Sequence, residues 1–321
     1  MAVIQFYAEE RKNVAKSVVL ILFFTVLMGG FGYLVDRIFD WGYWATTIFL
    51  IIAAIQILVG VLSGPSVVLS SVGAKPIQPN ANPEHQQLQN IVSELSISSG
   101  LKPVKVYHLP GDSSINAFAT GLKKDQAAIC VTDGLLASLD REETQGVLAH
   151  EMSHIHNRDM LYMTLLSAIL GAMVIVQVIA FTALRGSFSF SDSDDLGGCL
   201  TVLLISLVVA ILSSLFSLIG RIVVMAVSRQ REYLADAHAV EFTRNPFGLS
   251  RALRTIACGE ATVKQANIAT AHLFIADPLN RQVNEREGWW ANLFSTHPPL
   301  YQRIARLEAK APEQVLQELN G

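Results

Sequence analysis

The chain has 321 residues, 51% of them apolar and only 16% charged, with 24 Lys and Arg against 27 Asp and Glu for a net charge of −3. A mean hydropathy of +0.39 and a charged fraction well below the usual level of about a quarter argue against a wholly soluble protein. No basic run or basic–aromatic stripe is present, which argues against a nucleic-acid partner. Cys130, Cys199 and Cys258 are widely spaced and include no Cys-x-x-Cys pair, so they indicate neither a disulfide framework nor a thiolate metal site. They read as small buried apolar residues.

A helix needs about 20 consecutive apolar residues to cross a bilayer. Residues 17–35 and 44–62 qualify, Gln56 being the only strongly polar residue of the second stretch; residues 160–184 and 199–220 follow, the last extended through Arg221 and 222–227. A cleaved leader is the competing reading of the first stretch, but the run is long for one and a second follows closely. Buried core helices are the competing reading of the last two, against their length and lack of charge. Arg11, Lys12 and Lys16 precede the first span, and Arg221, Arg229 and Arg231 follow the fourth. The short links carry only Arg37, and Arg185 followed by Asp192, Asp194 and Asp195. This bias places the N-terminus, residues 63–159 and everything after the fourth span in the cytoplasm. The expected organisation is a hairpin over 1–62, the first part of a catalytic domain over 63–159, a second hairpin over 160–227, and the second part over 228–321.

Pro76, Pro79 and Pro83 with Asn80 and Asn82 mark a linker after the second span. An amphipathic helix is predicted over 84–98, with Leu88, Ile91, Val92 and Leu95 at helical spacing. Short strands are predicted over 104–108, 115–120 and 127–132, the last two joined by a turn at 121–125, which together suggest a small, largely antiparallel sheet. Asp140 then reads as an N-cap, with Glu143 at the capping-box position. The helix it starts is predicted to continue into the third span.

That helix carries His150-Glu151-Met152-Ser153-His154. Residues four apart share a helix face, so His150 and His154 can offer two nitrogens to one metal ion. Glu151 lies beside them, where it can take a proton from a metal-activated water and pass it to a leaving amine. Two surface histidines are the bland alternative; the helix start and apolar flanks weigh against it, and the pattern is that of a zinc metalloprotease. A catalytic zinc needs a third ligand and an open position. Glu232 and Asp236, four apart just after the fourth span, share a face; either can ligate while the other holds a ligand histidine. A solvated face with Arg229 and Arg231 is the alternative. His156, His238 and His272 are weaker candidates.

Across most of its length the sequence resembles the HtpX-type membrane proteases, relatives of the CAAX prenyl protease. The resemblance rests on the hairpin, on Ser114-Ile115-Asn116-Ala117-Phe118-Ala119-Thr120-Gly121, on the metal motif continuing as His156-Asn157-Arg158-Asp159, on Arg231-Glu232-Tyr233-Leu234-Ala235-Asp236, and on Thr296-His297-Pro298-Pro299. It implies an α+β, mainly helical zincin-like (gluzincin) domain with four transmembrane helices. It also implies one Zn2+ per chain held by His150, His154 and Glu232, with Asp236 supporting, and Asn116, Ala117 and Phe118 near the substrate backbone. His297, with Arg303 downstream, matches the family's His-Pro segment near the zinc, and either is a candidate oxyanion donor. The implied role is clearance of unfolded or damaged membrane proteins, often stress-induced, at the cytoplasmic face of a bacterial inner membrane. Residues 277–295, with Trp289 and Trp290, look like an insertion: a variable surface loop, or an interfacial anchor.

The edge strand around 115–120 is expected to pair with an extended substrate, because backbone pairing is tolerant of sequence. The rival readings are a membrane adaptor with a structural zinc, which predicts a fourth ligand or a missing base, and a CAAX-type processing enzyme, which has more spans.

Overall fold

The structure, a computed structural model, describes residues 2–80, 82–121, 123–161, 231–259, 273–276 and 298–320, with Val263 and a few isolated positions between 178 and 214. Two helices open the chain, α1 (Ala2–Phe39) and α2 (Trp44–Ser71). Asp36 sets the turn between them. Its carboxylate accepts from the Ala45 and Thr46 amides at 2.9 Å each and from the Thr46 hydroxyl at 2.6 Å, satisfying donors that the start of a helix leaves open. Gly32 lets the helices touch, since a Cβ there would lie 2.5 Å from Thr46 Cα. Val19, Leu22 and Val26 on α1 and Ile51, Ile55 and Leu58 on α2 are each more than half exposed. Among the described residues no helix is long and apolar enough to cross a membrane. The third and fourth expected spans fall almost wholly outside the described residues.

The sheet contains β1 (Lys75–Pro76), β2 (Lys105–Leu109), β3 (Ala117–Thr120) and β4 (Ala128–Thr132) in the order β1-β2-β4-β3. The outer pairs are antiparallel, but β2 and β4 run parallel, with Val106 opposite Ile129. The sheet is therefore mixed rather than largely antiparallel. The reason is the path after β2: the chain swings outward through 110–116, forms β3 at the edge, and turns back so that β4 inserts between β3 and β2. A parallel neighbour needs such an intervening element.

Both faces of β3 and β4 are buried, and their alternation divides two cores. Ala117, Ala119, Ile129 and Val131 face α3 (Pro83–Ser99) and α5 (Arg141–His156), where Leu88, Ile91, Val92, Leu95, Leu148 and Met152 wait. Phe118, Ala128 and Cys130 face the other way, toward Val68, Leu69 and Val72 at the end of α2. Burial pushes the Cys130 thiol up, as expected of an apolar filler, whereas Cys258, expected to be buried as well, is exposed at the end of its helix. Asn82 caps α3 through its side chain, with Pro83 in the first turn and Gly100 closing the helix at φ 69°.

Thr132 ends β4 and caps α4 (Asp133–Ser138), accepting from Leu135 N at 3.2 Å. The capping box of α5 is complete, with Glu143 N on Asp140 at 2.8 Å and Asp140 N on Glu143 at 2.9 Å. Helix α6 covers residues 231–243, followed by α7 (Pro246–Cys258), α8 (Leu300–Glu308) and α9 (Pro312–Asn320). Arg254 joins the last three: it holds Glu308 through two bonds of 2.8 Å and Glu318 at 2.6 Å. Its hydrogen bonds keep the Glu308 carboxyl at about 2.

Helices α5 and α7 meet at glycine. A Cβ on Gly146 would lie 2.5 Å from Leu249 N, and backbone cannot yield as a side-chain tip can. Gly146→Ala is therefore expected to destabilise the protein by about 1–3 kcal/mol, read as a lowered denaturant midpoint; an unchanged midpoint would show that the contact carries no strain.

Helix α5 does not continue into the third expected span. It stops at Asn157, Arg158 takes φ 56°, and helical geometry resumes only at Asp159. Positive φ is rare for a residue such as arginine, and the break brings Asp159 against His154 on the helix just ended.

Candidate metal centre

His150 and His154 stand one turn apart on α5, and Glu232 and Asp236 one turn apart on α6, so two helices face each other through like spacings. His150 Nε2 lies 3.3 Å from His154 Nε2. Glu232 offers Oε2 to His150 Nε2 and Oε1 to His154 Nε2, each at 3.6 Å. Among the described residues these three form the one group whose ligand atoms, all within 4.8 Å of one another, could hold a metal ion. Tetrahedral bonds of about 2.0–2.1 Å give ligand–ligand edges of about 3.3–3.4 Å. The His150–His154 edge is that size, each Glu232 oxygen lies 3.6 Å from one of the two imidazoles, and taking one ligand atom from each residue keeps all three within 4.8 Å; the donors are two imidazoles and a carboxylate. The residues fit a zinc ion.

Each histidine is held from behind. His150 Nδ1 meets Asp236 Oδ1 at 3.0 Å, and His154 Nδ1 meets Asp159 Oδ2 at 3.2 Å. A carboxylate on Nδ1 keeps the proton there and turns the Nε2 lone pair toward the metal position. Asp159 reaches His154 only because of the break at Asn157 and Arg158. It was not among the expected site residues, although it ends the quoted His-Asn-Arg-Asp segment.

Arg303 on α8 is fully buried. It clasps Asp236 with two bonds, Nη2 to Oδ1 at 2.7 Å and Nε to Oδ2 at 3.0 Å, and places Nη1 3.7 Å from Glu232. Burial and the Arg303 charge push His150 down, yet its hydrogen bonds to Asp236 and Glu232 outweigh both and raise it to about 9. Burial would raise Asp236, but Arg303 and His150 hold it low. Arg303 was expected as an oxyanion donor. The structure turns its guanidinium onto the carboxylates instead and leaves it out of the lining of the metal cavity, and His297 lies outside the described residues.

Glu151 is buried and lines the same cavity as the three ligand residues. Asn116 is also buried; Thr132 fixes it, accepting from Asn116 N and donating to its carbonyl from the main chain, both at 3.0 Å. Its side-chain amide bonds residue 276, and Ala117 and Phe118 lie alongside residues 273–276. Leu273, Phe274 and Ile275 form part of the cavity wall, which their short apolar run in the sequence did not announce. His238 sits behind α5 on Ser153 and Asn157, at 3.2 and 3.1 Å, held below its ordinary pKa first by burial and then by His156. His272 and the 277–295 segment are outside the described residues.

Residues 82–311 match the sequence pattern of Peptidase family M48. The chain belongs to that family. It is 36% identical over 306 residues to a "Protease HtpX homolog" of Thermoanaerobacter pseudethanolicus, covering 94% of this chain and 97% of that one. A protein of the same description from Ligilactobacillus salivarius is 37% identical over 312 residues, covering 94% and 99%. Among solved structures it is similar to S. mikatae Ste24p, with a TM-score of 0.48 and 18% identity over 94% of this chain and 66% of that one. This M48 chain is thus a metallopeptidase, and His150, His154 and Glu232 form a group that could hold a metal ion.

Proposed function

We propose that the chain is a zinc endopeptidase set in a bacterial inner membrane through four spans, cutting misfolded or damaged membrane proteins at the cytoplasmic face. The observation that carries the chemistry is the close grouping of His150, His154 and Glu232, their ligand atoms within 4.8 Å of one another, with Glu151 lining the same cavity. When bound, the metal ion supplies Lewis acidity: it lowers the pKa of a water toward neutrality and polarises the peptide carbonyl. Glu151 takes the proton of the attacking water on its carboxylate and returns it to the leaving amine. Asp236 and Asp159 hold the two imidazoles in the ligating tautomer, and Arg303 anchors Asp236 and faces Glu232. Arg303 is thus a positioning residue, and His297 the remaining donor for the oxyanion.

The membrane reading is supported by the four apolar stretches, by the Lys and Arg bias, and by the exposed apolar faces of α1 and α2. Trp44 and Tyr43, both more than 70% exposed at the α1–α2 turn, suit a membrane–water boundary. The broad substrate class is supported by the backbone character of an edge strand as a docking element. An adaptor with a structural zinc predicts a fourth protein ligand, and among the described residues the group has three.

One experiment joins both halves. The full chain, expressed in bacteria, is expected to remain in membranes washed with alkaline carbonate, and purified from them to bind close to one zinc ion and cut casein. Glu232→Ala is expected to lower zinc affinity by more than about 100-fold and to abolish cleavage. Full zinc content in that variant would remove Glu232 from the ligand set, and release by carbonate would remove the spans.

A further inference from the structure

Strand β3 ends the sheet order, so its outer edge is where an added strand would pair. That edge is taken. Residues 273–276 run antiparallel along it, with a bridge between Phe118 and Phe274 and a 2.9 Å bond from Ile275 N to Ala117 O. Asn116 completes the pairing through its side chain, donating to Ala276 O at 3.1 Å and accepting from Ala276 N at 3.3 Å. The Phe118 and Phe274 rings lie 4.8 Å apart, and Arg303 donates to Ile275 O at 3.3 Å. All four residues of the stretch are buried.

The same stretch walls the metal cavity. Leu273, Phe274 and Ile275 line it beside His150, Glu151 and Glu232, and the space left is ≈ 20 Å³. That holds about one water molecule, so a peptide carbonyl has no room beside the ligand residues while this stretch is present. A peptide cannot both pair with β3 and reach the ligands while this stretch is present.

We propose that residues 273–276 occupy the β3 edge in place of substrate, and that they must leave it before an extended peptide can pair there and be cut. The inference rests on the peptidase reading above. An incoming peptide remakes the bonds it displaces, because Ala117 O, the Asn116 amide and the Arg303 guanidinium each address backbone groups rather than side chains. The exchange therefore asks little of sequence, while the Phe118 ring favours a large apolar residue where Phe274 now lies. The occupant thus describes the substrate: an extended apolar stretch such as an unfolded membrane protein exposes. A folded protein, with no free strand to offer, leaves the edge covered.

A reversible lock tests this. The bond from Ile275 N to Ala117 O flanks the Phe118–Phe274 pair, which makes it the close, non-hydrogen-bonded kind, with Cα atoms about 4.5 Å apart and within disulfide range. Cys130 pairs with Phe118 across β4, so Cys130→Ala, Cys199→Ala and Cys258→Ala are made first. In that background Phe118→Cys with Phe274→Cys, oxidised, is expected to cut casein at least tenfold more slowly than the same zinc-loaded protein after a phosphine reductant. Equal rates with the disulfide formed would overturn the proposal. Activity of the reduced protein reports separately on the peptidase reading. Should the reduced double variant be inactive, hydrogen exchange on zinc-loaded Glu151→Gln decides: saturating casein is expected to speed exchange at the Ile275 amide several-fold, and unchanged protection overturns the proposal.

Discussion

Glu151→Gln is expected to cut casein about 10²–10⁴-fold more slowly than the native chain while keeping its zinc. Glutamine preserves the shape of the side chain in a cavity with room for little more than a water, so packing should survive. The three ligand atoms come from His150, His154 and Glu232, so the metal triangle loses nothing. What disappears is an oxygen able to accept a proton from the attacking water and return it. The Asp236 and Asp159 contacts to the ligand histidines lie on the far sides of the rings and should be unchanged. Turnover measured alongside zinc content and thermal midpoint separates the outcomes. Native-like turnover in a fully loaded variant would dismiss Glu151 as the base. Loss of zinc would instead mean that this carboxylate helps hold the metal.

How far the sequence could be read follows the range of the forces involved. Helix α5 was legible because its information is local: Asp140 and Glu143 close a capping box three residues apart, and His150 and His154 share a face one turn apart. Helix α3 was legible for the same reason, its four apolar residues falling on one side. The sheet was legible only as strands. That β4 lies parallel to β2 depends on where the chain goes between them, and no pair of neighbouring residues encodes that path. The end of α5 was misread because a hydrophobic stretch after a helix reads as more helix. The Asn157 and Arg158 break answers to a tertiary demand, the carboxylate of Asp159 on His154.

Arg303 shows the limit most clearly. On its own helix it looks like a surface charge four residues from the start, and the family resemblance drew it toward the reaction centre without saying which atoms it meets. In the fold it is buried between α6 and residues 273–276, neutralising carboxylates that are 67 and 71 positions away. Residues 273–276 are similar: four apolar residues carry no signal of a partner until β3 is seen beside them.

The pH response of the chelated protein is the second large effect. In protein stripped by a chelator, His150 is expected to titrate at about 9 rather than 6.5, because hydrogen bonds to Asp236 and Glu232 favour its charged form against burial and Arg303. A folded-state pKa above the unfolded value contributes stability that is fully present below 6.5 and lost as pH rises through 9. The loss over that window is about 3 kcal/mol, so the stripped protein should melt earlier at pH 9 than at pH 6.5. Zinc reverses the trend. A ligand nitrogen must shed its proton to bind metal, so affinity should climb about tenfold per pH unit across the window, roughly 300-fold in all. Asp236→Asn removes the strongest support for the protonated ring and should flatten both slopes. Thermal melts with and without chelator, and competition for zinc against an indicator dye, measure the two slopes at matched pH. Stability of the stripped protein that holds level from pH 6.5 to 9 would mean that Asp236 and Glu232 do not keep His150 protonated. Their arrangement would then serve zinc alone.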